Sequence, residues 1–450
     1  MTRILTAMLL AVALVAAACG GGDDDAEPEG ADGTADAGAD GVDGDVAAGD
    51  DDGSTQGQGA GDGASGGAVD GAVIIVSGLG SYGVSADATE GTPIEFADMD
   101  GVSVGTEPVT DGEGAYVLTF RTLEGQSFAA EAFVGRVDLA TGETSTVARI
   151  GVDRESDDAE ELTEYGPMVA IDGEVWVYSQ VFGESTGELL RLSPDSPDGP
   201  VASVTLSRPQ ALHTDGEMIY VWTESGLTVI DPATGSTSVL VPTGVVIAEA
   251  APDVDLGSLV ISRSGAAPAA EDLDFVARSL AVDGGSINGT TLGDGVFWVS
   301  IDGVLSTSAG DTVLAEALVG FDVTDGTVTA VIPTIGDGDY FFEENSVDVG
   351  DSEIAAFDGA VWIVDRQDNG ALLRVDPASG EVAVTYEPCA PPLECEDASF
   401  ILTDPDALWL DVTRYEVTGE GSRSGEIWVE RIDTGTGAVA ASASVQSLIF

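Results

Sequence analysis

A two-part unit recurs along the chain from about Val109 onward, and it limits the possible folds more than any other feature. The first part is an apolar run, an Asp-Gly turn or a near equivalent, and a strand with an aromatic residue, as at residues 168–177, 211–221 and 354–363. The second part is an apolar strand, a turn that begins with Asp and contains Gly, and another strand, as at residues 372–384. Both parts alternate around glycine-containing turns, which is typical of antiparallel hairpins.

Two such hairpins form one four-stranded sheet. Sheets repeated every 40–60 residues or so predict an all-β protein, a β-propeller, because a closed ring leaves few exposed strand edges. We expect a single propeller over residues 72–450 with about seven blades, and six or eight are alternatives. Residues 245–292 are the candidate for a degenerate seventh blade, and Ala72–Val76 is expected to pair with residues 441–450 and close the ring.

The repeats resemble those of a known family. An Asp-Gly-x-Val-Trp strand followed by Arg-Val-Asp-x-x-x-Gly-Glu, as at residues 358–362 and 374–381, resembles the repeats of streptogramin-lyase-type and quinoprotein-type propellers. The resemblance covers most of residues 109–445 and implies a fold more directly than an activity, because such blades serve many functions. For a lyase it would also imply a histidine base and a divalent metal, and His213 is the single histidine here.

Residues 1–19 are typical of an export signal. Arg3 is followed by an apolar stretch too short for a spanning helix, and the stretch ends in Ala-Ala-Ala-Cys. This ending resembles the lipobox of bacterial lipoproteins, which implies that Cys19 is lipidated and holds the chain at the outer face of the cytoplasmic membrane. The usual Leu three places before the Cys is Ala16 here, and the alternative is an ordinary secretory peptide.

Residues 20–71 consist almost wholly of Gly, Ala, Asp and Glu, with 15 of the chain's 81 acidic residues and no basic one. Such a segment cannot bury enough apolar surface to offset the entropy of ordering, so we expect a disordered acidic linker. A Gly-rich coil of this length reaches roughly 40 Å, which suits a tether between a lipid anchor and a folded ring.

The charge balance excludes several partners. The formal net charge is −67, and all 14 basic residues are arginines. Nucleic acid is excluded as a partner, because its binding depends on basic side chains that neutralise phosphates. Docking of a basic patch on anionic lipid headgroups is disfavoured for the same reason, so the lipid anchor is the expected membrane contact. The acidity also indicates a solvated surface suited to salty surroundings.

Cys389 and Cys395 are the remaining cysteines. Outside the cytoplasm, such a close pair most simply predicts a disulfide across one loop. A metal site is disfavoured, because the chain has no further cysteine and His213 is far away in sequence.

The turns predict two unlike faces of the ring. The Asp-Gly turns join the first and second strands of each blade and the Asp-x-x-x-Gly turns join the third and fourth, so both lie on one face and are short. Longer connections lie on the opposite face, at residues 151–166, 301–317, 333–352, 387–398 and 413–425. Long loops on a rigid scaffold often bind ligands, so we expect this long-loop face to be the working face. The candidate ligand-binding residues there are Tyr340, Phe341, Phe342, Asp365, Arg366, Arg414 and Tyr415.

Other side chains carry weaker expectations. Arg136, Arg191, Arg374 and Arg431 occupy one equivalent position, which suggests salt bridges between blades. No nucleophile elbow or phosphate-binding loop is found, and we expect His213 to be a packed or surface residue rather than a catalytic one. No cofactor is expected, although the oxygen-rich segments Asp98–Ser103 and Asp337–Asp339 leave calcium open.

Together these features predict a lipid-anchored extracytoplasmic β-propeller, presumed monomeric, that binds an envelope protein, a glycan or a small ligand. The alternative is a propeller-based lyase or hydrolase with its active site at the axial channel.

Overall fold

The computed structural model describes part of the chain. The described residues are 72–76, 80–84, 91–94, 102–104, 108–122, 129–141, 143–154, 163–181, 183–209, 211–250, 273–274, 281–282, 287–307, 312–333, 353–365, 371–386, 394–401, 407–419 and 422–449. The contacts divide the chain into Met1–Asp62 and Gly63–Phe450, and every described residue belongs to the second unit. The predicted signal peptide, Cys19 and the whole predicted linker lie outside the described residues, which begin at Ala72.

The described residues form a six-bladed β-propeller of four-stranded antiparallel sheets. Blades 2, 3, 5 and 6 are simple meanders whose first strand lies innermost. Blade 2 contains β9 (Thr163–Ile171), β10 (Glu174–Val181), β11 (Thr186–Leu192) and β12 (Ala202–Ser207). Blade 3 contains β13 (Leu212–Thr214), β14 (Ile219–Thr223), β15 (Gly226–Ile230) and β16 (Thr237–Pro242). Blade 5 contains β24 (Glu353–Phe357), β25 (Ala360–Asp365), β26 (Ala371–Val375) and β27 (Val382–Tyr386). Blade 6 contains β28 (Glu394–Ile401), β29 (Leu408–Gly419), β30 (Ser422–Ile432) and β31 (Val439–Ile449).

In blades 1 and 4 the second strand pairs with two short strands on its inner side. Blade 1 contains β4 (Val102–Val104) and β5 (Val109–Thr110), both paired with β6 (Gly114–Thr122), followed by β7 (Ala129–Asp138) and β8 (Thr144–Arg154). Blade 4 contains β18 (Leu273–Asp274) and β20 (Ile287–Gly293), both paired with β21 (Val296–Thr307), followed by β22 (Thr312–Asp322) and β23 (Val328–Pro333).

The predicted number of seven blades was wrong, and the alternative of six is what the described residues form. In the span proposed as a seventh blade, the described residues form the two-residue strands β17 (Val245–Val246), β18 and β19 (Ala281–Val282), one short helix, α1 (Ile247–Ala250), and β20, which is the inner strand of blade 4. Both β18 and β20 pair with β21, so they belong to blade 4.

The predicted closure by Ala72–Val76 was also wrong. This strand, β1, pairs with β2 (Gly80–Val84), which pairs with β3 (Gly91–Ile94). The local hairpin competes for the same backbone groups that the distant strand would have used. The resulting three-stranded sheet lies beside blade 6, where β1 contacts β28 and β3 contacts β31.

The Asp-Gly turns follow from backbone geometry. In blades 2, 4 and 5 both residues of the turn have positive φ, as for Asp172 (51°) and Gly173 (76°). Two successive positive φ angles give the type I′ turn whose twist matches a β-hairpin, and Asp-Gly is a preferred sequence for it. The prediction that these turns join the first and second strands of a blade is confirmed.

The third and fourth strands are joined by a second recurrent turn. Its aspartate accepts hydrogen bonds from backbone N–H groups two and three residues later, as Asp231 does from Ala233 and Thr234. A glycine at positive φ then returns the chain, and Gly235 N donates to Asp231 O at 2.8 Å. This explains why the Asp-x-x-x-Gly spacing recurs.

Those glycines also set the contact between blades. We call Gly235, Gly326, Gly380 and Gly437 the interface glycines. Each lies against the outer strand of the preceding blade: Gly235 faces Val204, Gly380 faces Ile332, and a Cβ added to Gly326 would lie 2.7 Å from the Leu240 carbonyl oxygen. A Cβ added to Gly437 would overlap Thr385. All four glycines have the positive φ that the turn needs, and at Gly326 and Gly437 the neighbouring blade also leaves no room for a Cβ.

The core consists of layers between blades. In the described part, clusters of buried side chains join each blade to the next, from blade 1 through blade 6. The aromatic residue of the second strand is central to them: Trp176, Trp222, Trp298 and Trp362 each pack against the following blade. Truncating a buried aromatic side chain typically lowers the free energy of unfolding by about 3–5 kcal/mol. These four tryptophans therefore contribute strongly to the packing of neighbouring blades.

Within the described residues, no helix is long and apolar enough to cross a membrane.

Candidate functional site

Most of the predicted ligand-binding residues fall where the structure gives no side-chain description. Tyr340, Phe341, Phe342 and Arg366 lie outside the described residues, as do Cys19 and Cys389 and all the aspartates of the two segments considered for calcium. For three more only the backbone is described: Asp365 ends β25, Tyr415 lies in β29 opposite Glu394, and Cys395 lies in β28 opposite Arg414. Their proposed roles stay predictions.

Two of the five predicted long loops are extended hairpins instead. Residues 301–317 belong largely to β21 and β22, which remain paired from Ile301↔Ala317 to Ser306↔Thr312. Residues 413–425 belong largely to β29 and β30. In both places the pairing of the second and third strands continues through residues that the sequence analysis had assigned to a loop.

Arg414 is held in a buried polar network between blades 5 and 6. Its guanidinium donates to Glu430 Oε1 at 2.7 Å and to the Tyr386 hydroxyl at 2.8 Å, while Tyr386 donates to Glu430 Oε2 at 2.7 Å. Ser442 donates to the same glutamate at 3.2 Å. Glu430 is only 2% exposed, and burial followed by the negative charge of Glu430 raises the pKa of Tyr386. We call these four residues the Glu430 network, and its geometry fixes blade 5 to blade 6.

His213 also lies between blades. On β13, its Nε2 is 2.8 Å from the Thr290 hydroxyl of β20, and its ring meets the Phe297 ring edge-on at 5.5 Å. Burial lowers the pKa of His213 to about 4, because an apolar setting disfavours the charged imidazolium. This placement agrees with a packed histidine.

For two of the four equivalent arginines, Arg136 and Arg191, the described ion pairs lie within one blade and not, as the sequence had suggested, between blades. Each lies opposite the aromatic residue of its own blade, as Trp176↔Arg191 and Tyr116↔Arg136 show. Arg191 pairs with Glu174 of its own blade at 2.5 Å and lies over the Trp176 ring. The expectation missed that cross-strand neighbours are closer than residues of the adjacent blade.

A cleft of about 560 Å³ opens on the short-turn face between blades 1 and 2. We call it the blade-1 cleft. Its lining combines acidic, basic, hydroxyl and apolar side chains: Asp111, Glu113, Tyr116, Arg136, Ser145, Thr146, Val147, Asp172, Gly173 and Pro194.

Asp111 makes the floor of this cleft rigid. One carboxylate oxygen accepts the N–H groups of Glu113 and Gly114, and the other accepts the Tyr116 hydroxyl at 2.7 Å and the Gly173 N–H of blade 2 at 3.1 Å. Partial burial opposes ionisation of Asp111, but these hydrogen bonds outweigh it and lower its pKa. Burial, then the bond to Asp111, raises the pKa of Tyr116 to about 12, so the phenol stays protonated.

Arg136 has an unusual setting in this cleft. The position that carries Glu174 in blade 2 carries Gly114 in blade 1, and a Cβ added to Gly114 would overlap the Arg136 guanidinium. Arg136 therefore lies over bare backbone, and its described ion pair is a 3.4 Å contact with Asp138. A smaller cleft of about 350 Å³ surrounds the equivalent Arg431 in blade 6.

Sequence reasoning did not identify the blade-1 cleft, which lies on the face opposite the predicted working face. The cleft lies between two blades, and its floor depends on the hydrogen bond from Gly173 N–H of blade 2 to Asp111 of blade 1, residues that are 62 positions apart in sequence.

Comparison with known proteins adds little. No family model and no curated protein matches the chain. Solved structures with some similarity include the AfRom2 CNH domain (TM-score 0.39, 11% identity, 81% of this chain and 94% of that chain). Others are a europium-containing methanol dehydrogenase (TM-score 0.33, 11% identity, 77% and 72%) and the calcium-binding protein regucalcin from Agrobacterium tumefaciens (TM-score 0.32, 17% identity, 64% and 76%). Similarity at this level says nothing about what this chain binds.

Proposed function

We propose that this chain is an exported, lipid-anchored β-propeller that acts as a binding module at the cell envelope. The observation that carries the binding role is the blade-1 cleft, a polar recess whose floor is fixed by hydrogen bonds within blade 1 and to blade 2. A rigid recess on the rim of a closed ring suits recognition, because little ordering entropy is lost when a ligand binds.

The anchor and the linker are proposed from sequence. Cys19 at the end of the apolar signal provides the lipidation site, and residues 20–71 provide the reach that separates the ring from the membrane. The lyase or hydrolase alternative gains no support from His213, whose ring is engaged in the contact between blades 3 and 4.

Membrane fractionation of a bacterial host tests the anchor. The wild-type chain is expected to label with a fatty acid and to sediment with membranes, and Cys19→Ser is expected to lose both properties. Cys395→Ser is the matched control and should sediment like wild type. A Cys19→Ser chain that still sediments would contradict lipidation at Cys19.

Capture of partners tests the binding role. The Cys19→Ser chain, immobilised and exposed to an envelope extract at physiological salt, is expected to retain a defined component that a heat-denatured sample does not. Retention of the same material by native and denatured samples would contradict a specific module.

A further inference from the structure

We infer that Arg121 and Arg149, held together by one glutamate of blade 1, form a binding site for a singly charged oxyanion, a carboxylate or a phosphodiester. The blade-1 cleft is a different place, because its blade 1 residues lie nearer the short turns, so the inference goes beyond the proposed function. The argument starts from the charge balance. The chain carries 81 acidic residues and 14 arginines, so an arginine without a carboxylate of its own is unexpected.

Two arginines share one carboxylate in blade 1. Arg121 on β6 pairs through Nη2 with Glu131 Oε2 on β7, and Arg149 on β8 pairs through Nε with Glu131 Oε1 at 2.7 Å. We call these three residues the paired-arginine site, and two guanidiniums with one carboxylate leave it one positive charge. The other ion pairs in the described part of the chain each join one arginine to one carboxylate: Arg136–Asp138, Arg191–Glu174, Arg208–Glu164 and Arg414–Glu430.

The paired-arginine site is open to solvent, and its geometry is fixed. Both arginine side chains are 48% exposed, whereas that of Glu131 is 13% exposed. The Arg121 guanidinium lies 5.7 Å from the centre of the Phe133 ring, and the backbone N–H of Arg149 donates to the Pro197 carbonyl oxygen of blade 2 at 2.8 Å. Because Glu131 is the least exposed of the three groups, it holds both guanidiniums from the protein side and leaves them accessible.

The site lies on the face of blade 1 that is turned away from blade 2. Side chains of strand residues directly opposite each other share a face, and Arg121 lies opposite Glu131, while Arg149 lies opposite Phe133. The other face carries Leu118 and Val134, which belong to the cluster packed against blade 2. The contact between these two blades therefore does not cover the site.

Both guanidiniums have donors to spare. A guanidinium has five N–H donors, and in the described part of the chain Arg121 uses Nη2 and Arg149 uses Nε. The remaining nitrogens can donate to a second anion. An anion with two terminal oxygens matches such a pair, because guanidinium groups form short, charge-assisted hydrogen bonds with carboxylate and phosphate oxygens.

The charge sets the class of ligand. One singly charged oxyanion neutralises the remaining positive charge, whereas a polyanion would be repelled by the acidic surface, and salt screens that repulsion only beyond about 8 Å. The strands around the site are balanced in charge, since residues 117–134 and 147–154 contain three arginines and three acidic residues. Carboxylates and phosphodiesters share the required chemistry, namely one charge and two terminal oxygens.

An NMR titration of the Cys19→Ser chain labelled with 15N-arginine tests this inference. The 14 arginines give a simple Nε–Hε spectrum, and substitutions assign its signals. The probes are acetate and dimethyl phosphate, with sodium chloride as the control titration. We expect at least one probe to shift the signals of Arg121 and Arg149 together to saturation, with a dissociation constant at least about tenfold lower than that of chloride. The tighter probe distinguishes a carboxylate from a phosphodiester, and shifts that do not saturate with either probe overturn the inference.

The decisive variant is Arg121→Gln, which should weaken probe binding at Arg149 at least about tenfold, because both guanidiniums donate to one anion. Arg149→Gln is the reciprocal variant, read at Arg121, and it keeps the test valid if Arg121→Gln fails to fold. Arg208→Gln removes an arginine from a one-to-one pair and is the matched control, which should bind as the parent does. Arginines that only stabilise blade 1 through Glu131 predict no such coupling, so unchanged binding at the remaining arginine of either folded variant overturns the inference.

Discussion

Replacing one interface glycine by alanine measures how tightly neighbouring blades are packed. Gly437 has a φ of +72°, and an added Cβ would overlap the Thr385 side chain of blade 5. Gly359 has a φ of +71°, and an added Cβ there would meet nothing within 4 Å. The two substitutions impose the same backbone strain, so their difference isolates the contact between blades.

The expected magnitudes follow from these geometries. An alanine at positive φ costs about 1–2 kcal/mol relative to glycine, and this is the whole expected loss for Gly359→Ala. Overpacking adds about 1–3 kcal/mol, so Gly437→Ala is expected to lose about 2–5 kcal/mol in all. Urea denaturation of both variants, monitored by tryptophan fluorescence, gives the free energies of unfolding if the m-values of the variants agree. Equal losses in the two variants would refute the claim that Gly437 is held tightly against blade 5.

Three further predictions concern electrostatics. Arg414→Ala leaves Glu430 buried without its cation and should lower the free energy of unfolding by about 3–5 kcal/mol. The control is Arg208→Ala, which removes an exposed ion pair with Glu164 and should lower it by less than about 1 kcal/mol. Similar losses in the two variants would show that the Glu430 network does not stabilise the fold more than a surface ion pair does. Burial lowers the pKa of His213 from 6.5 to about 4 in the folded state, so its contribution to the free energy of unfolding is fully present well above pH 6.5 and is lost as the pH falls towards 4, by up to about 1.4 kcal/mol per pH unit. Between pH 7 and 5, where carboxylates stay ionised, His213→Gln should make the free energy of unfolding less dependent on pH. An unchanged slope would show that another group causes the pH dependence. Finally, the formal charge of −67 predicts that the thermal midpoint falls when salt is removed, and a midpoint that is independent of salt would contradict self-repulsion.

The sequence predicted the hairpins, both recurrent turns and the radial arrangement, because each depends on local geometry. The two turns depend only on the conformation and hydrogen bonds of a few consecutive residues, as at Asp172-Gly173 and from Asp231 to Gly235. Their structure can therefore be predicted from a short stretch of sequence. The blade number was mispredicted because β18 and β20, from the span 245–292, pair with β21 of blade 4, and the closure was mispredicted because β1 pairs with the nearby strand β2.

The candidate site was harder to predict than the fold. The predicted binding residues were chosen for unusual composition, such as the aromatics at 340–342, and Arg414 proved to be part of the Glu430 network. The blade-1 cleft is lined by residues of two neighbouring blades, among them Asp111 and Asp172. Those residues come together only when the blades pack, so the sequence of either blade alone does not predict the cleft.

The interface glycines give the ring a direction. In blades 3 to 6, the turn between the third and fourth strands carries an interface glycine, and this glycine lies against the outer strand of the preceding blade. A duplicated blade would bring both halves of this joint and could dock onto its own copy without any new fit.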